Sequence, residues 1–458
     1  MTEYDLTALC VPLPEDVQKC KLAGDLEGAK RLIERRLKDE WLGERLKKRL
    51  ALEKLALERL PGEYPLSRAQ AMAQLREEIP DFTEAEFDAL EEAGWIDFYY
   101  IEGEKRYFCA FCASLLVAHP EIAARAGKPL GAKRGVLDEC MDAMREKGEA
   151  SCRTRVRVSL RLKDEAFIPG ETYRVHLPVP KNGVQVTGAK VLRVSPAEFA
   201  HVNGEDAPQR TVYFEAKLDE NRPFEVEYEL TNRVLYADTE HSERCEGHLY
   251  EAPEPTADDL RELPPHVRFT PYLRALAEEL AGGETRPLEK ARRFYDYVTR
   301  AVNYAYLRSY FLYENLAEYV AVNRRGDCGA QSLLFIALCR IAGIPARWQS
   351  GMYAGAGDSQ AGSHDWAMFY VEPFGWLFAD CSFGGGGREE KRRFYFGNLD
   401  PFRVAANDAY GAPMQPPCRF LRDDPFDNQS GECECGRCGF TARDWTVSRE
   451  ILESEKDF

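Results

Sequence analysis

The feature that most constrains this chain is the stretch of residues 324–347, RRGDCGAQSLLFIALCRIAGIPAR, in which a polar loop gives way to an apolar segment. The apolar residues recur at helical spacing. Gly343 and the proline that follows it are typical signals for the end of a helix, and Asp327 is a typical N-cap. The pattern predicts a helix over about residues 328–342, so that Cys328 stands in its first turn.

The position of Cys328 indicates a reactive thiol. Unpaired backbone N–H groups and the positive end of the helix dipole stabilise a thiolate there and lower the pKa. Gly326 and Gly329 leave room for a substrate. The alternative is a thiol that only fills space at the start of a helix. Cys339 lies in the interior of the same helix, where we expect a small buried hydrophobic residue.

A nucleophilic thiol needs a base, and one of the seven histidines has a suggestive context in residues 362–387, GSHDWAMFYVEPFGWLFADCSFGGGG. This segment reads as two strands joined at EPFG. With a loop of three residues, His364 and Asp380 share one face of the hairpin, so that Asp380 can orient the imidazole. Asp365 is the rival orienting carboxylate, but neighbours along a strand point to opposite faces.

Three segments, GDCGAQSLLFIALCRIAGIPAR, HDWAMFYV and GWLFADCS, resemble the core motifs of the transglutaminase-like superfamily. The resemblance covers about residues 285–387, and the preceding YRVHLPVP is similar to the N-terminal sandwich of bacterial members. It implies a papain-like core in which a helix bearing the cysteine packs against a sheet bearing the other two residues. It also implies Cys328 as nucleophile, His364 as base and acid, and Asp380 as orienting carboxylate.

The reaction that the resemblance implies is acyl transfer from a protein or peptide amide, through a thioester, to water or to another amine. Hydrolysis is slightly favoured, because nothing identifies a dedicated site for an amine acceptor. No metal or other cofactor is expected. The backbone N–H of Cys328 is the expected first oxyanion donor, and Tyr304 or Tyr306 is a candidate second donor, with core packing as the alternative. A second class of function is a non-catalytic binding or scaffold protein built on the same core.

Length, charge and hydropathy indicate the number of domains, the excluded classes of partner and the expected location. A chain of 458 residues predicts several domains, and its net charge of −16 argues against nucleic acid and anionic membranes as partners. There is no apolar run of about 18 residues and no signal peptide, so we expect a cytoplasmic protein. Fourteen irregularly spaced cysteines indicate mostly reduced thiols.

The changing sequence period predicts an α+β protein of three domains. Residues 1–150 are predicted as helical, with two helices and a hairpin around residues 66–110 that resemble a winged helix. The helices of this segment are acidic, so internal docking is expected rather than a site for a protein partner or nucleic acid. Residues 151–240 alternate with period two and predict a β-sandwich. Residues 241–458 are predicted as the transglutaminase-like catalytic domain with a cysteine-rich tail.

Two cysteine clusters are candidate metal sites. The first is the pair Cys109 and Cys112, and the second comprises Cys433, Cys435 and Cys438 near Cys418. A structural zinc site takes four ligands, and neither cluster has an accompanying histidine or a second close C-x-x-C. Reduced thiols without a metal are the favoured interpretation.

Overall fold

The N-terminal region is a helical unit with its own core. The computed structural model describes residues 4–130 and 135–458, so residues 1–3 and 131–134 of the predicted helical region lie outside the described residues. The elements of this region are α1 (Glu15–Ala23), α2 (Leu26–Leu37), α3 (Glu44–Glu63), α4 (Arg68–Glu78), α5 (Glu84–Glu92), β1 (Phe98–Ile101), β2 (Glu104–Tyr107), α6 (Phe111–Ala118), α7 (Pro120–Arg125) and α8 (Val136–Lys147). Its buried core includes Leu50, Leu57, Leu60, Phe87 and Phe111.

Local hydrogen bonds and backbone angles define the helix start and the turn of the winged-helix-like segment. Thr83 and Glu86 form a capping box that begins α5. The turn between β1 and β2 is formed by Glu102 and Gly103, both with positive φ. Two helices followed by a hairpin therefore stand where the winged-helix-like pattern was predicted.

The second unit is a β-sandwich of two four-stranded antiparallel sheets. Its first strands are β3 (Glu149–Leu162), β4 (Glu171–Pro178), β5 (Val186–Ser195), β6 (Ala200–Val202), β7 (Thr211–Leu218) and β8 (Phe224–Leu235). Buried and more exposed residues alternate along β3, with Val156, Val158 and Leu160 inside. This alternation is the pattern that predicted the sandwich.

The third unit combines six helices with a five-stranded sheet. Its elements are α9 (Pro271–Ala281), α10 (Pro287–Ala301), β9 (Asn303–Tyr304), α11 (Leu316–Asn323), β10 (Arg325–Gly326), α12 (Cys328–Ile341), β11 (Ala346–Tyr353), β12 (Gly362–Val371), β13 (Gly375–Ala379), α13 (Cys381–Gly384), α14 (Glu389–Phe394), β14 (Phe396–Gly397) and β15 (Arg403–Asn407). The sheet order is β14-β13-β12-β11-β15. Helix α12 is buried along nearly its whole length and packs against β12, α10 and α11.

The predicted boundary of the third domain does not follow the sheets. Two later strands, β16 (Glu432–Glu434) and β17 (Trp445–Asp457), add to the sandwich, where β16 pairs with β4 and β17 pairs with β3. Arginines on β3 face glutamates on β17, as in Arg155 with Glu453 at 3.1 Å and Arg157 with Glu450 at 3.1 Å. The cysteine-rich tail, which was predicted as part of the catalytic domain of residues 241–458, therefore completes the sandwich.

The N-terminal unit is docked on the rest of the chain. The buried Arg49 binds Glu53 at 2.7 Å in its own helix and Glu314 at 2.7 Å in the third unit. Arg59 donates hydrogen bonds to three backbone carbonyls of residues 421–423. Within residues 66–110, the segment for which internal docking was expected, the carbonyl of Gly94 accepts a hydrogen bond from Arg325 of the third unit at 3.3 Å. Among the helices in the described part of the chain, none is both long and apolar enough to cross a membrane.

Candidate active site

The start of α12 holds Cys328 in the wall of a large cavity. Asp327 caps the helix as predicted, since its Oδ1 accepts a hydrogen bond from the backbone N–H of Ala330 at 3.0 Å. The hydroxyl of Tyr310 donates to the same oxygen. The parallel pair of β9 and β10 places Tyr304 beside Gly326, two residues before the cysteine.

The cavity has a volume of about 730 Å³, and three separate parts of the chain form its walls. Helix α3 contributes Leu55 and Arg59, β9 and the loop after it contribute Tyr304 and Tyr306, and the tail contributes Phe420 and Arg443. Cys328 is one of the lining residues and is only 9% exposed. The N-terminal unit and the tail therefore restrict access to the thiol.

The thiol of Cys328 makes its hydrogen bond to Asp365. Sγ lies 3.4 Å from Oδ2 of this residue, and Gln429 donates to the other carboxyl oxygen. Space around the pair is tight, because a Cβ atom at Gly329 would lie 2.4 Å from the Tyr310 hydroxyl and 2.8 Å from Oδ2 of Asp365. A glycine is therefore needed next to the cysteine.

The electrostatic surroundings of the thiol differ from the sequence-based expectation. Burial raises the pKa of Cys328 well above its usual value, and the nearby carboxyl groups of Asp365 and Asp327 raise it further. Burial and the neighbouring Asp427 likewise raise the pKa of Asp365. The expected lowering of the Cys328 pKa is therefore wrong for this arrangement, because desolvation and acidic neighbours outweigh the field of the helix.

His364 and Asp380 lie together on the other face of β12. The hairpin has the three-residue loop that the parity argument required, with Val371 opposite Gly375, whose φ is +74°. Nε2 of His364 lies 2.7 Å from Oδ2 of Asp380. Asp365 points the opposite way, toward α12, as alternation along the strand requires.

Asp380 is fully buried and fully hydrogen-bonded. Its Oδ1 accepts from the backbone N–H of Phe383 at 3.0 Å and the hydroxyl of Ser382 at 3.1 Å, while Oδ2 also accepts from Arg403 at 2.7 Å. Burial by itself would raise the pKa of Asp380, but His364 and Arg403 hold it well below its usual range. The carboxyl group is therefore ionised at neutral pH.

Arg403 is a residue of this site that the sequence argument missed. Its guanidinium joins Asp380 to Asp400, which accepts from Nη2 at 2.6 Å, and lies 4.3 Å from the ring centre of Phe383. All three charged groups are completely buried. The one available signal was an arginine at the head of the strand RVAAN, where three apolar residues follow it.

The structure thus brings together two of the three predicted catalytic residues. His364 and Asp380 form a pair, whereas the hydrogen bond of the Cys328 thiol goes to Asp365. Among the described residues, no hydrogen bond joins Cys328 to His364. The imidazole and the sulfur must approach each other for the predicted chemistry.

Two tyrosines named as candidate oxyanion donors lie in the cavity wall. Tyr304 is largely buried and Tyr306 is 37% exposed, and their rings meet edge to face with centres 5.5 Å apart. Burial raises the pKa of Tyr304 well above its usual value, and proximity to Cys328 adds to this rise. Both hydroxyls therefore remain protonated donors at neutral pH.

The other cysteines do not form a metal site in the described residues. No group of three or more histidine, cysteine, aspartate or glutamate side chains there is arranged to hold an ion. Cys339 is fully buried in the core, as predicted. Cys435 and Cys438 approach each other to 3.8 Å between sulfur atoms.

Comparison with known proteins identifies the core. Residues 274–381 match the family model of the transglutaminase-like superfamily, and this segment includes Cys328, His364 and Asp380. No curated protein matches the chain.

Several solved structures are similar to parts of it. A provisionally assigned cysteine protease from Cytophaga hutchinsonii shares 16% identity over 68% of this chain and 92% of that one, with a TM-score of 0.43. The periplasmic domain of TgpA from Pseudomonas aeruginosa shares 14% identity over 54% of this chain and 93% of that one, with a TM-score of 0.26. At these TM-scores the overall structures differ too much from this chain to support an inference about it.

Proposed function

We propose, from the transglutaminase-like core of residues 274–381, that this protein is a thiol-dependent enzyme that cleaves or transfers a peptide or glutamine-type amide. Cys328 is the nucleophile, His364 the base and acid, and Asp380 the carboxylate that orients the imidazole. One observation carries the proposal. Cys328 lies at a capped helix start in the wall of a cavity, and a hydrogen-bonded pair of His364 and Asp380 lies on the opposite face of the neighbouring strand β12.

In the proposed reaction, the sulfur of Cys328 attacks the amide carbonyl after its proton passes to His364. The tetrahedral oxyanion is stabilised by the backbone N–H of Cys328, with Tyr304 or Tyr306 as the second donor. His364 then protonates the leaving amine, and a thioester remains. Water attacks the thioester in hydrolysis, which we favour slightly, and another amine attacks it in transfer.

The proposal includes a local rearrangement at Cys328. The thiol must leave Asp365 and meet the imidazole of His364, which lies on the opposite face of β12. Gly362 and Ser363, at the start of this strand, are exposed but pair with Tyr353 and Met352 of β11, so the rearrangement requires this end of β12 to separate from β11. Substrate binding in the cavity supplies the interaction energy that favours the rearranged state.

We extend the proposal to location and partners. All fourteen cysteines are free thiols, which suits a reducing compartment such as the cytoplasm. The substrate is a protein or peptide amide, and the net charge of −16 disfavours nucleic acid and membrane surfaces. No metal or cofactor takes part in the proposed reaction.

A non-catalytic scaffold is the second candidate function. The contact of Cys328 with Asp365 favours it, because burial and this carboxyl group hold the thiol in its unreactive protonated form. A scaffold and an enzyme differ in one measurable property, which is formation of a covalent acyl-enzyme.

The test uses the full-length protein with an unfolded protein substrate such as denatured casein and a fluorescent primary amine. Hydrolysis gives new amino termini, and transfer incorporates the fluorescent amine. Cys328→Ala should abolish both, whereas Cys339→Ala, a matched change eleven positions along the same helix, should abolish neither. Equal products from wild type and Cys328→Ala would contradict the enzyme proposal.

A further inference from the structure

The tail contains a short hairpin that holds two cysteines face to face. Glu434 pairs with Gly439, and the backbone N–H of Cys435 donates to the carbonyl of Cys438 at 2.8 Å, across a loop of only two residues. Directly opposed, hydrogen-bonded residues of a hairpin have Cα atoms about 5.5 Å apart, which is within the range that a disulfide bridges. The two sulfur atoms are 3.8 Å apart.

The two thiols differ in access. Cys435 is completely buried, whereas Cys438 is partly exposed and lies in the wall of the cavity that holds Cys328. The backbone N–H of Arg437 lies 3.4 Å from the sulfur of Cys435 and can stabilise negative charge there. A soluble oxidant therefore reaches Cys438 first, with Cys435 in position to react next.

We propose that Cys435 and Cys438 form a reversible dithiol–disulfide couple in the wall of the catalytic cavity, with a small-molecule disulfide such as oxidised glutathione as the oxidant. Burial and the neighbouring Cys435 raise the pKa of Cys438 to about 11, so its thiolate is a minor species at neutral pH; this thiolate attacks one sulfur of that disulfide and releases one reduced thiol. The sulfur of Cys435 then attacks Cys438 in the mixed disulfide and releases the second reduced thiol. Two protein thiols are oxidised and one external disulfide is reduced, so the electrons balance.

The inference stands apart from the proposed acyl transfer, because it needs neither Cys328 nor His364. It also distinguishes the pair Cys435 and Cys438 from the other C-x-x-C pair of the chain. Cys109 and Cys112 have the same C-x-x-C spacing, but Cys112 lies in helix α6 and no sulfur–sulfur contact joins the pair in the described structure. Spacing alone would treat the two pairs alike, whereas the hairpin geometry favours only one.

The test equilibrates the full-length protein in buffers with increasing ratios of oxidised to reduced glutathione. The samples are acidified, the free thiols are blocked with an alkylating agent, and the protein is digested with trypsin without reduction. Cleavage after Arg437 separates residues 423–437 from residues 438–443, so the disulfide joins two peptides. A disulfide between Cys109 and Cys112 stays inside the peptide of residues 107–125 and lowers its mass by two hydrogens.

The joined peptides should reach half of their maximum at a glutathione ratio at least about tenfold lower than the Cys109–Cys112 disulfide requires, and dithiothreitol should separate them. Cys433→Ser should keep the link, because Cys433 shares a tryptic peptide with Cys435 but is not the partner. Cys435→Ser should leave Cys438 as a mixed disulfide with glutathione.

Three results would overturn the couple. The first is a Cys438 thiol that stays free in excess oxidised glutathione. The second is loss of the link in Cys433→Ser, checked for folding by circular dichroism. The third is stoichiometric release of zinc when the thiols of the purified protein are alkylated, which would assign the cluster to a metal.

Discussion

Substitution of Asp380 by asparagine tests the reasoning about the site most directly. The amide keeps the shape of the side chain and can still accept from Phe383 and Ser382 at one oxygen. At the other position an NH₂ group replaces the oxygen that accepts from His364 and Arg403. The N–H groups of His364 and Arg403 then face the N–H groups of the new amide, with no acceptor between them. The buried guanidinium of Arg403 also loses one of its two carboxylate partners and keeps only Asp400.

The size of the effect follows from these contacts. Removing one partner of a buried ion pair costs about 3–5 kcal/mol of folding free energy, and we expect about 3 kcal/mol because Arg403 keeps Asp400. Turnover should fall as well, because the amide no longer fixes or stabilises the imidazolium. For the serine-protease triad the corresponding loss is about 10⁴-fold, and a thiol nucleophile depends less on its base, so we expect roughly 10- to 1000-fold.

The assay measures urea unfolding and turnover on the same preparations of wild type, Asp380→Asn and Asp365→Asn. Wild-type turnover in a destabilised but folded Asp380→Asn would show that the His364–Asp380 pair is only structural. If Asp365→Asn strongly lowers turnover and Asp380→Asn leaves turnover unchanged, Asp365 and not Asp380 is the carboxylate that orients the imidazole of His364. The pKa of Asp380 is lowered by folding, so the stability that this group contributes is present above its unfolded pKa of about 3.9 and is lost as the pH falls below it.

Four further predictions follow from the described contacts. Gly329→Ala should lower both the melting temperature and the alkylation rate of Cys328, because the new Cβ would overlap Tyr310 and Asp365. Gly183→Ala, whose new Cβ meets no atom within 4 Å, should leave both quantities unchanged when measured in parallel. Iodoacetamide should label Cys328 before the fully buried Cys339, and the labelling rate of Cys328 should keep rising above about pH 9, because the pKa of its thiol is raised. Asp365→Asn should shift the pH dependence of this labelling rate to lower pH. An unchanged pH dependence would contradict the contribution of Asp365 to the raised pKa. Activity should survive EDTA, and loss with rescue by zinc would overturn the metal-free reaction. A fragment of residues 245–458 should be insoluble on expression, because β17 then lacks its partner β3, and a soluble fragment with a reactive Cys328 would refute this dependence.

The elements that carry the site were predictable because they depend on neighbours in the sequence. The helix at Cys328 has its cap in Asp327, and the three-residue loop fixes the parity that unites His364 with Asp380. Local hydrogen bonds and the period of a strand are enough for these inferences.

The features that escaped prediction depend on packing between distant segments. Burial of the Cys328 thiol against Asp365 reverses the direction expected for its pKa, and a helix start by itself gives no measure of that burial. Arg403 meets Asp380 only because β15 joins the sheet beside β11. The pairing of β17 with β3 spans most of the chain, and no local signal specifies such a distant partner.

The pairing of β17 with β3 also sets an order for biosynthesis. Strand β3 is made early, but the partner along its outer edge consists of residues 445–457, which leave the ribosome roughly 300 residues later. At elongation rates of about 5–20 residues per second, that edge waits for about 15–60 seconds. Unpaired edges attract other strands, so a nascent chain of this protein needs protection during that interval, and a ribosome that stalls before residue 445 should release a product that aggregates.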